Sequence, residues 1–226
     1  MTDRINPDEF PACPLPITTH ATIQLSHGSG GKMMNDLIGQ LFVEAFDNPI
    51  LRRRDDQATL EINGQRLTFS TDSFVVDPLF FPGGDIGDLA VNGTVNDVCM
   101  NGARPLYLST GFIIEEGLPL ADLERIVRSM QRAASKAGVQ IVTGDTKVVN
   151  RGKVDKLFIN TAGIGVIEHT YRIGVENLQP GDRVLINGAI GNHGMAVMSK
   201  REGLAFETPI ESDTAALNGL VADLLQ

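Results

Sequence analysis

The chain has 226 residues, of which 42% are hydrophobic and 21% are charged, a composition typical of a globular protein with one or two domains. Its net charge of −9 argues against a nucleic-acid-binding protein, although backbone amides and a metal ion can still hold phosphate. Two cysteines, Cys13 and Cys99, form neither a disulfide framework nor a metal-binding spacing. Because the sequence lacks a long apolar run and a secretory signal, we expect no membrane span and a cytoplasmic location.

The first part of the chain predicts a leader, a helix and a hairpin. Four prolines in residues 1–20 indicate a flexible leader. Asn63-Gly64 is a strong signal for a two-residue turn between antiparallel strands. The predicted elements in order are a strand at 21–25, a helix at 32–47, and hairpin strands at 57–62 and 65–70 that continue towards Val76.

The central part predicts two amphipathic helices that alternate with apolar strands. Asp85 is placed to cap the first helix, and Gly138 to end the second. The helices are expected from Asp85 to about Asn101 and at 119–137, and the strands at 105–114, 139–143 and 157–166. This order predicts an α+β domain over residues 21–168, with a mixed β-sheet flanked by helices on one side.

Residues 169–226 are expected to begin a second α+β domain. The pattern predicts a strand at 183–187, a loop at 188–194, and helices at 195–201 and 213–225. A segment of this size is thin for a core of its own. The helical pattern is still running at Gln226, so the sequence predicts a chain that ends inside its second domain.

A glycine-rich loop precedes the first helix. Glycines let backbone amides face an oxyanion, and a helix N-terminus adds a favourable dipole. The loop matches neither the P-loop nor the dinucleotide fingerprint, so it is a weak phosphate signal. His27 beside it is interpreted as a surface histidine. The residues proposed to contact phosphate here are Gly28, Ser29, Gly30, Gly31 and Lys32.

Acidic residues lie on or beside apolar elements at several points. Burying a carboxylate without a partner is costly, and a divalent cation would remove that cost. The candidate metal ligands are Asp56, Asp72, Asp97 and Asp145. Asn96, Thr146 and Lys147 are expected to contact phosphate. The alternative is that these residues are turn acids, a solvated helix end and a surface lysine. Neither a nucleophile elbow nor a histidine-based zinc motif is present in the sequence.

The motifs together resemble the aminoimidazole-ribonucleotide-synthetase-like ATP-binding superfamily. The resemblance rests on segments that occur in the order seen in that superfamily: His27–Lys32, Asp55–Ala58, Ser70–Ser73, Asn96-Asp97 and Gly144–Lys147. The intervening segments Asp77–Gly84, Gly111–Pro119 and Val142–Val149 are most similar to the hydrogenase maturation branch, the HypE proteins. The likeness covers the chain from about Ile23 onwards and leaves the leader outside.

The resemblance implies an ATP- and Mg²⁺-dependent enzyme. It implies a homodimer whose sheets form a shared barrel, with ATP bound along the interface. HypE-like proteins carry a carbamoyl group on a C-terminal cysteine and use ATP to dehydrate it to a thiocyanate, which supplies the cyanide ligand of [NiFe] hydrogenase. The implied partners are the carbamoyltransferase HypF and the HypC–HypD scaffold.

The sequence departs from that family at its C-terminal end. The expected tail with its acceptor cysteine does not occur, and neither Cys13 nor Cys99 has a matching position. We therefore expect the chain as given to fold its first domain and to dimerise or bind nucleotide weakly, without completing the reaction. Two alternatives stay open: another enzyme of the superfamily, such as a selenophosphate synthetase, and a non-catalytic dimerisation or scaffold module.

Overall fold

The computed structural model describes residues 21–204 and 208–226. The chain divides into two compact units, residues 1–54 and residues 55–226. The expected flexible leader at 1–20, with Cys13, lies outside the described residues.

The described part of the first unit is built around one helical stretch, as the sequence predicts. It consists of α1 (Lys32–Leu37), a π-helical turn (Ile38–Phe42) and α2 (Val43–Ala45). The predicted strand at 21–25 is wrong, because Leu25–Gly28 form a 3₁₀ helix. The reason is local: the backbone N–H of Gln24 donates to His27 Nδ1 at 2.9 Å, and the His27 N–H donates back to the Gln24 carbonyl at 2.9 Å. Such local bonds compete with strand formation.

The second unit contains a five-stranded mixed sheet. The strands are β1 (Ala58–Ile62), β2 (Gln65–Phe74), β5 (Arg104–Glu115), β6 (Gln140–Val149) and β7 (Leu157–Val166), in the order β1-β2-β7-β5-β6. Only the β5–β6 pair of this sheet is parallel. The predicted hairpin is confirmed: Asn63 and Gly64 both have positive φ, as a tight hairpin turn requires. A small two-stranded sheet pairs β3 (Phe80–Phe81) with β4 (Gly84–Asp85).

Two helices, α3 (Ile86–Cys99) and α4 (Leu120–Ala137), lie on the same side of the sheet, as predicted. Asp85 caps α3 as expected, since its carboxylate accepts hydrogen bonds from the N–H groups of Gly87 and Asp88. Ser129 of α4 donates to the same carboxylate and so ties the two helices together. Gly138, with a φ of 72°, ends α4. The fully buried apolar side chains of this layer include Ile86, Val91, Val95, Leu108, Ile126, Leu157 and Ile159.

The opposite face of the sheet is exposed. Phe69, Ile164 and Tyr107 are paired across β2, β7 and β5, and their side chains are 42%, 44% and 46% exposed. Side chains at alternate positions of a strand leave opposite faces, so this row lies on the face turned away from α3. The outer face therefore presents a continuous apolar row to solvent.

The last part of the chain differs from the prediction. The expected strand at 183–187 does not form, and its Val184 and Leu185 are highly exposed. A strand needs a neighbour that takes up its backbone hydrogen bonds, and the described residues offer this segment none. The helices are α5 (Asn192–Glu202), close to its predicted place, and α6 (Asn218–Leu224), which begins five residues later than expected.

Among the residues that the structure describes, no helix is long and apolar enough to cross a membrane.

The close approach of α3 to α4 depends on Gly87. A Cβ atom added at this position would lie 2.5 Å from the carbonyl oxygen of Ile126, which is backbone and cannot move aside easily. We expect Gly87→Ala to lower the free energy of unfolding by about 1–3 kcal/mol through overpacking. Urea denaturation measures this change.

Gly194 of α5 is the matched control, because an added Cβ there meets no atom within 4 Å. Gly194→Ala should leave stability unchanged or raise it by up to about 1 kcal/mol, since alanine is the better helix former. Equal effects of the two substitutions would contradict the packing argument.

Candidate metal and nucleotide site

Asp97 lies in the last turn of α3 and faces β2. The Ser70 hydroxyl donates to Asp97 Oδ2 at 3.2 Å and lies 2.9 Å from the carbonyl oxygen of Asp56. One buried hydroxyl on β2 therefore connects two of the predicted metal ligands. Ser70 itself was not among the predicted site residues, although strand alternation places it on the same face as Asp72 and could have identified it.

Asp72 lies two residues further along β2, on the face that packs against α3. A Cβ atom added at Gly93 of α3 would be 3.7 Å from Asp72 Oδ2, so the helix passes close to this carboxylate. Asp72 Oδ1 accepts a hydrogen bond of 2.7 Å from the Ser73 N–H. The absence of a side chain at Gly93 leaves room for the Phe74 ring, which an added Cβ would approach to 2.9 Å, and the Asp72 carboxylate lies beside it.

Burial and like charge act on the Asp97 carboxyl group. Removal from water raises its pKa to about 6, the nearby charges of Asp72 and Asp56 push in the same direction, and the Ser70 hydrogen bond opposes them. Asp56, Asp72 and Asp97 are thus within electrostatic reach of one another. The three carboxylates form the "acid site" of this chain.

Asp145 lies apart from the acid site. It is in the middle of β6, which continues six residues beyond the predicted strand end at 143, and β6 is exposed along nearly all its length. The register Asp72–Thr161–Thr110–Gly144 runs across four strands, so Asp145 lies about 14 Å from Asp72 at the usual strand spacing. Since it follows Gly144 directly, its side chain leaves the sheet on the outer face.

Lys147 lies on the same outer face as Asp145, and its Nζ is 4.0 Å from Asp145 Oδ2. Thr146 between them lies on the inner face, in register with Phe112. The Gly144–Lys147 motif therefore contributes to two faces of the sheet.

Asn96 is adjacent to Asp97, but its carboxamide is occupied by another segment. Its Nδ2 donates to the Ala215 carbonyl at 2.9 Å, and its Oδ1 accepts from the Leu217 N–H at 2.8 Å. In this structure the side chain binds protein backbone.

The glycine loop belongs to the first unit and has the conformation that glycine permits. Gly30 has a φ of 77°, and an added Cβ at Gly28 or Gly30 meets no atom within 4 Å. Lys32 opens α1 and pairs with Asp36 at 2.5 Å. Ser29 donates its hydroxyl to the Ser26 carbonyl. The loop is open to solvent, with its lysine held by a neighbouring acid.

The acid site suits a divalent cation in part. Within the ranges 21–204 and 208–226, no three acidic, histidine or cysteine side chains are arranged closely enough to enclose an ion. Mg²⁺, however, usually binds one or two carboxylates and completes its shell with water and phosphate oxygens. A half-buried Asp97 whose ionisation is opposed by two like charges is a group that a cation would stabilise.

Comparison with known proteins places this geometry in a family. Residues 54–167 match the model of the family described as AIR synthase related protein, N-terminal domain. The chain belongs to this family. The matched segment contains the acid site and the whole five-stranded sheet.

Individual relatives agree with the resemblance seen in the sequence. The chain is 58% identical over 203 residues to "Carbamoyl dehydratase HypE" of Rhizobium leguminosarum bv. viciae, covering 90% of this chain and 58% of that protein. A solved HypE–HypF complex matches with a TM-score of 0.79 and 58% identity, over 84% of this chain and 61% of that chain. A HypE structure in complex with ATP matches with a TM-score of 0.70 and 55% identity, over 90% and 61%. The chain thus spans about three fifths of the relatives that it matches.

The raised pKa of Asp97 predicts a pH dependence of stability in the absence of divalent cations. The folded carboxyl group holds its proton up to about pH 6, whereas the unfolded one loses it near pH 4. The folded state therefore binds more protons between these values, and the free energy of unfolding should fall as the pH rises through this window.

Asp97→Asn should reduce the fall in the free energy of unfolding between pH 4 and 7, which urea denaturation at several pH values would show. Asp155→Asn, a change of an exposed acid, is the control and should retain the parent slope. An unchanged slope in Asp97→Asn would contradict the assignment.

Proposed function

We propose that the protein from which this sequence comes is an ATP-dependent carbamoyl dehydratase of the HypE type that serves [NiFe] hydrogenase maturation. The observation that carries the proposal is the acid site, in which Ser70 connects Asp97 to Asp56 beside Asp72. The likeness of the chain to proteins named carbamoyl dehydratase HypE supports the choice of reaction. Because the chain spans only part of those proteins, the activity is proposed for the whole protein.

In the proposed reaction, the oxygen of a carbamoylated cysteine attacks the γ-phosphorus of ATP, and ADP leaves. The phosphorylated intermediate loses one N–H proton to water as it forms, and loss of phosphate together with the second N–H proton then produces the thiocyanate. Overall the carbamoyl group loses the elements of water. The acceptor cysteine is expected outside this sequence, as in the family that it resembles.

The chain's own residues would bind and orient the triphosphate. Asp56, Asp72 and Asp97 would hold Mg²⁺, which supplies charge neutralisation at the phosphates when it is bound. Asp145 would bind a further ion from its place on β6. Thr146 and Lys147 would donate to phosphate oxygens, and the glycine loop Gly28–Lys32 is proposed as a separate phosphate contact in the first unit. Asn96 stays a predicted member of the nucleotide site, although in this structure its carboxamide binds the backbone of Ala215 and Leu217.

The outer face of the sheet is proposed to form a homodimer, in which two sheets complete a shared barrel. The support is the apolar row of Phe69, Ile164 and Tyr107, since contiguous exposed apolar surface commonly marks an interaction site. HypF is proposed as a partner because a similar protein was solved in a HypE–HypF complex. The HypC–HypD scaffold stays a prediction from the resemblance.

The nucleotide proposal predicts stabilisation by Mg·ATP. A ligand at a hundredfold excess over its Kd adds about 2.7 kcal/mol to the free energy of unfolding. For a domain of this size, that corresponds to a rise of roughly 5–10 °C in Tm. Asp72→Asn and Asp145→Asn should lose most of this rise, whereas Asp155→Asn should retain it.

Differential scanning fluorimetry with ATP, Mg²⁺ and both together separates the possible outcomes. No rise in the parent chain would favour the second candidate, a non-catalytic dimerisation or scaffold module. One observation favours that candidate: among the described residues, no three acidic, histidine or cysteine side chains lie close enough together to enclose a metal ion.

The dimer proposal predicts that a charge on the outer sheet face separates the protomers. Ile164→Lys places an ammonium group at the centre of the apolar row and should shift a dimer to monomer at tens of micromolar in sedimentation velocity. Leu120→Lys is the control, because this α4 residue is 81% exposed and lies outside the sheet. A parent chain that is monomeric at these concentrations would refute the proposed interface.

A further inference from the structure

Residues Glu211–Leu217 form a segment without helix or strand that lies along α3, and we call it the strap. It is held to the helix by two asparagines one turn apart. Asn92 Nδ2 donates to Thr214 Oγ1 at 3.3 Å, and Asn96 binds both Ala215 and Leu217. Before α3, the Ser212 N–H donates to the Pro82 carbonyl at 2.9 Å.

Asn96 makes the more demanding contact of the two asparagines. Its carboxamide donates to one backbone group and accepts from another two residues away, so the strap is fixed in register and direction. The carboxamide supplies the donor and the acceptor that these two bonds need. Aspartate would keep the acceptor alone, and alanine would keep neither.

The strap and the acid site meet on one helical turn. Asn96 and Asp97 are neighbours in the last turn of α3, which ends at Cys99. Helix ends lack some intrahelical hydrogen bonds and depend on outside partners. The strap holds this turn through Asn96, and Ser70 of β2 holds it through Asp97.

The two attachments respond to different forces. Asp97 lies close to both other acids: Ser70 stands between it and the Asp56 backbone, and Asp72 lies beside α3 at Gly93. In the absence of a cation, like charge from these neighbours therefore acts on the Asp97 carboxylate and on the turn that carries it. The Asn96 bonds are neutral and resist movement of the same turn. Removing the repulsion should strengthen the hydrogen bonds between Asn96 and the strap. An ordered strap should in turn favour the position in which Asp97 accepts the hydrogen bond from Ser70.

We propose that Asn96 is a positioning residue that couples the strap to the acid site, so that occupancy of the acid site and order in the strap favour each other. The coupling acts in both directions, as thermodynamic linkage requires. The identity of the ligand rests on the proposed function, whereas the coupling itself can be tested without any ligand.

The ligand-free test uses hydrogen exchange of peptides that contain residues 211–217. Asp97→Asn removes the charge and keeps an oxygen that accepts from Ser70, so it should slow exchange of the strap about fivefold, at the lower end of typical coupling between sites. In a protein that already carries Asn96→Ala, adding Asp97→Asn should leave the exchange rate of the strap unchanged. Persistence of the slowing in that background, or its absence in the parent, would overturn the proposal.

Asn218→Ala is the matched control. Asn218 follows the strap directly and donates its amide to the Ala137 carbonyl of α4 at 2.9 Å, a bond of the same kind to a different helix. Its loss should speed exchange at the end of the strap and leave the response to Asp97→Asn intact. Asn96→Leu, which is similar in size and has neither a donor nor an acceptor, replaces Asn96→Ala if circular dichroism shows that the alanine variant does not fold.

Mg·ATP provides the second arm. At saturating Mg·ATP, confirmed by isothermal titration calorimetry, strap exchange should slow in the parent and in Asn218→Ala. It should stay unchanged in Asn96→Ala, whatever the affinity of that variant for the nucleotide. If Asp97→Asn slows strap exchange but the parent does not bind Mg·ATP, the proposed function is refuted and the coupling stands. Slower strap exchange in Asn96→Ala that is saturated with Mg·ATP would refute the coupling alone.

Discussion

The close contact between α3 and the inner face of the sheet determines where the chemistry of this chain lies. Thr94 and Thr161 share a hydrogen bond of 2.5 Å, and Thr161 also lies 3.0 Å from the Ala90 carbonyl. On β7, Gly163 and Gly165 let the helix approach, because an added Cβ at either would come within 3 Å of the Val98 side chain. A larger residue there would force the helix outwards. The acid site exists because this contact brings the last turn of α3 to β2.

The acid site lowers the free energy of unfolding, and packing elsewhere in the domain must offset this loss. A carboxylate that is half-buried beside two others weakens the fold at neutral pH, and Ser70 donates a hydrogen bond that partly offsets this effect. The surrounding core, with several fully buried branched side chains and the capped start of α3, is well packed. Local conflict within an otherwise consistent structure is what a functional site produces. The physical reading of Asp97 and the family assignment thus support the same region independently.

The sequence predicted most elements whose signals are local, and it failed where an element depends on partners distant in the chain. The hairpin followed from Asn63-Gly64, and the start of α3 from Asp85, because each signal acts within a few residues. Residues 183–187 carry a strand composition, but composition cannot supply the neighbouring strand. At the site, the structure brings Asp56, Asp72 and Asp97 within electrostatic reach of one another and places Asp145 about 14 Å from Asp72 across the sheet. That separation could not be predicted, because strand order is invisible to a residue pattern. Ser70 was missed because a lone serine does not by itself indicate a metal site, although its place two residues before Asp72 on the same strand face was a usable signal.

The positions of Asp145 and Lys147 connect the two parts of the proposed function. Both lie on the outer sheet face, in register with Gly111 and Ile113 of β5, whereas the acid site lies on the inner face. That outer face is the one proposed to meet a second copy of the chain. Dimerisation would therefore change the surroundings of Asp145 and Lys147 and leave those of Asp97 largely as they are. If ATP binds along such an interface, as the family resemblance implies, the monomer holds only part of the nucleotide site. Nucleotide affinity should then depend on protein concentration, which links the proposed dimer to the proposed activity through one physical surface.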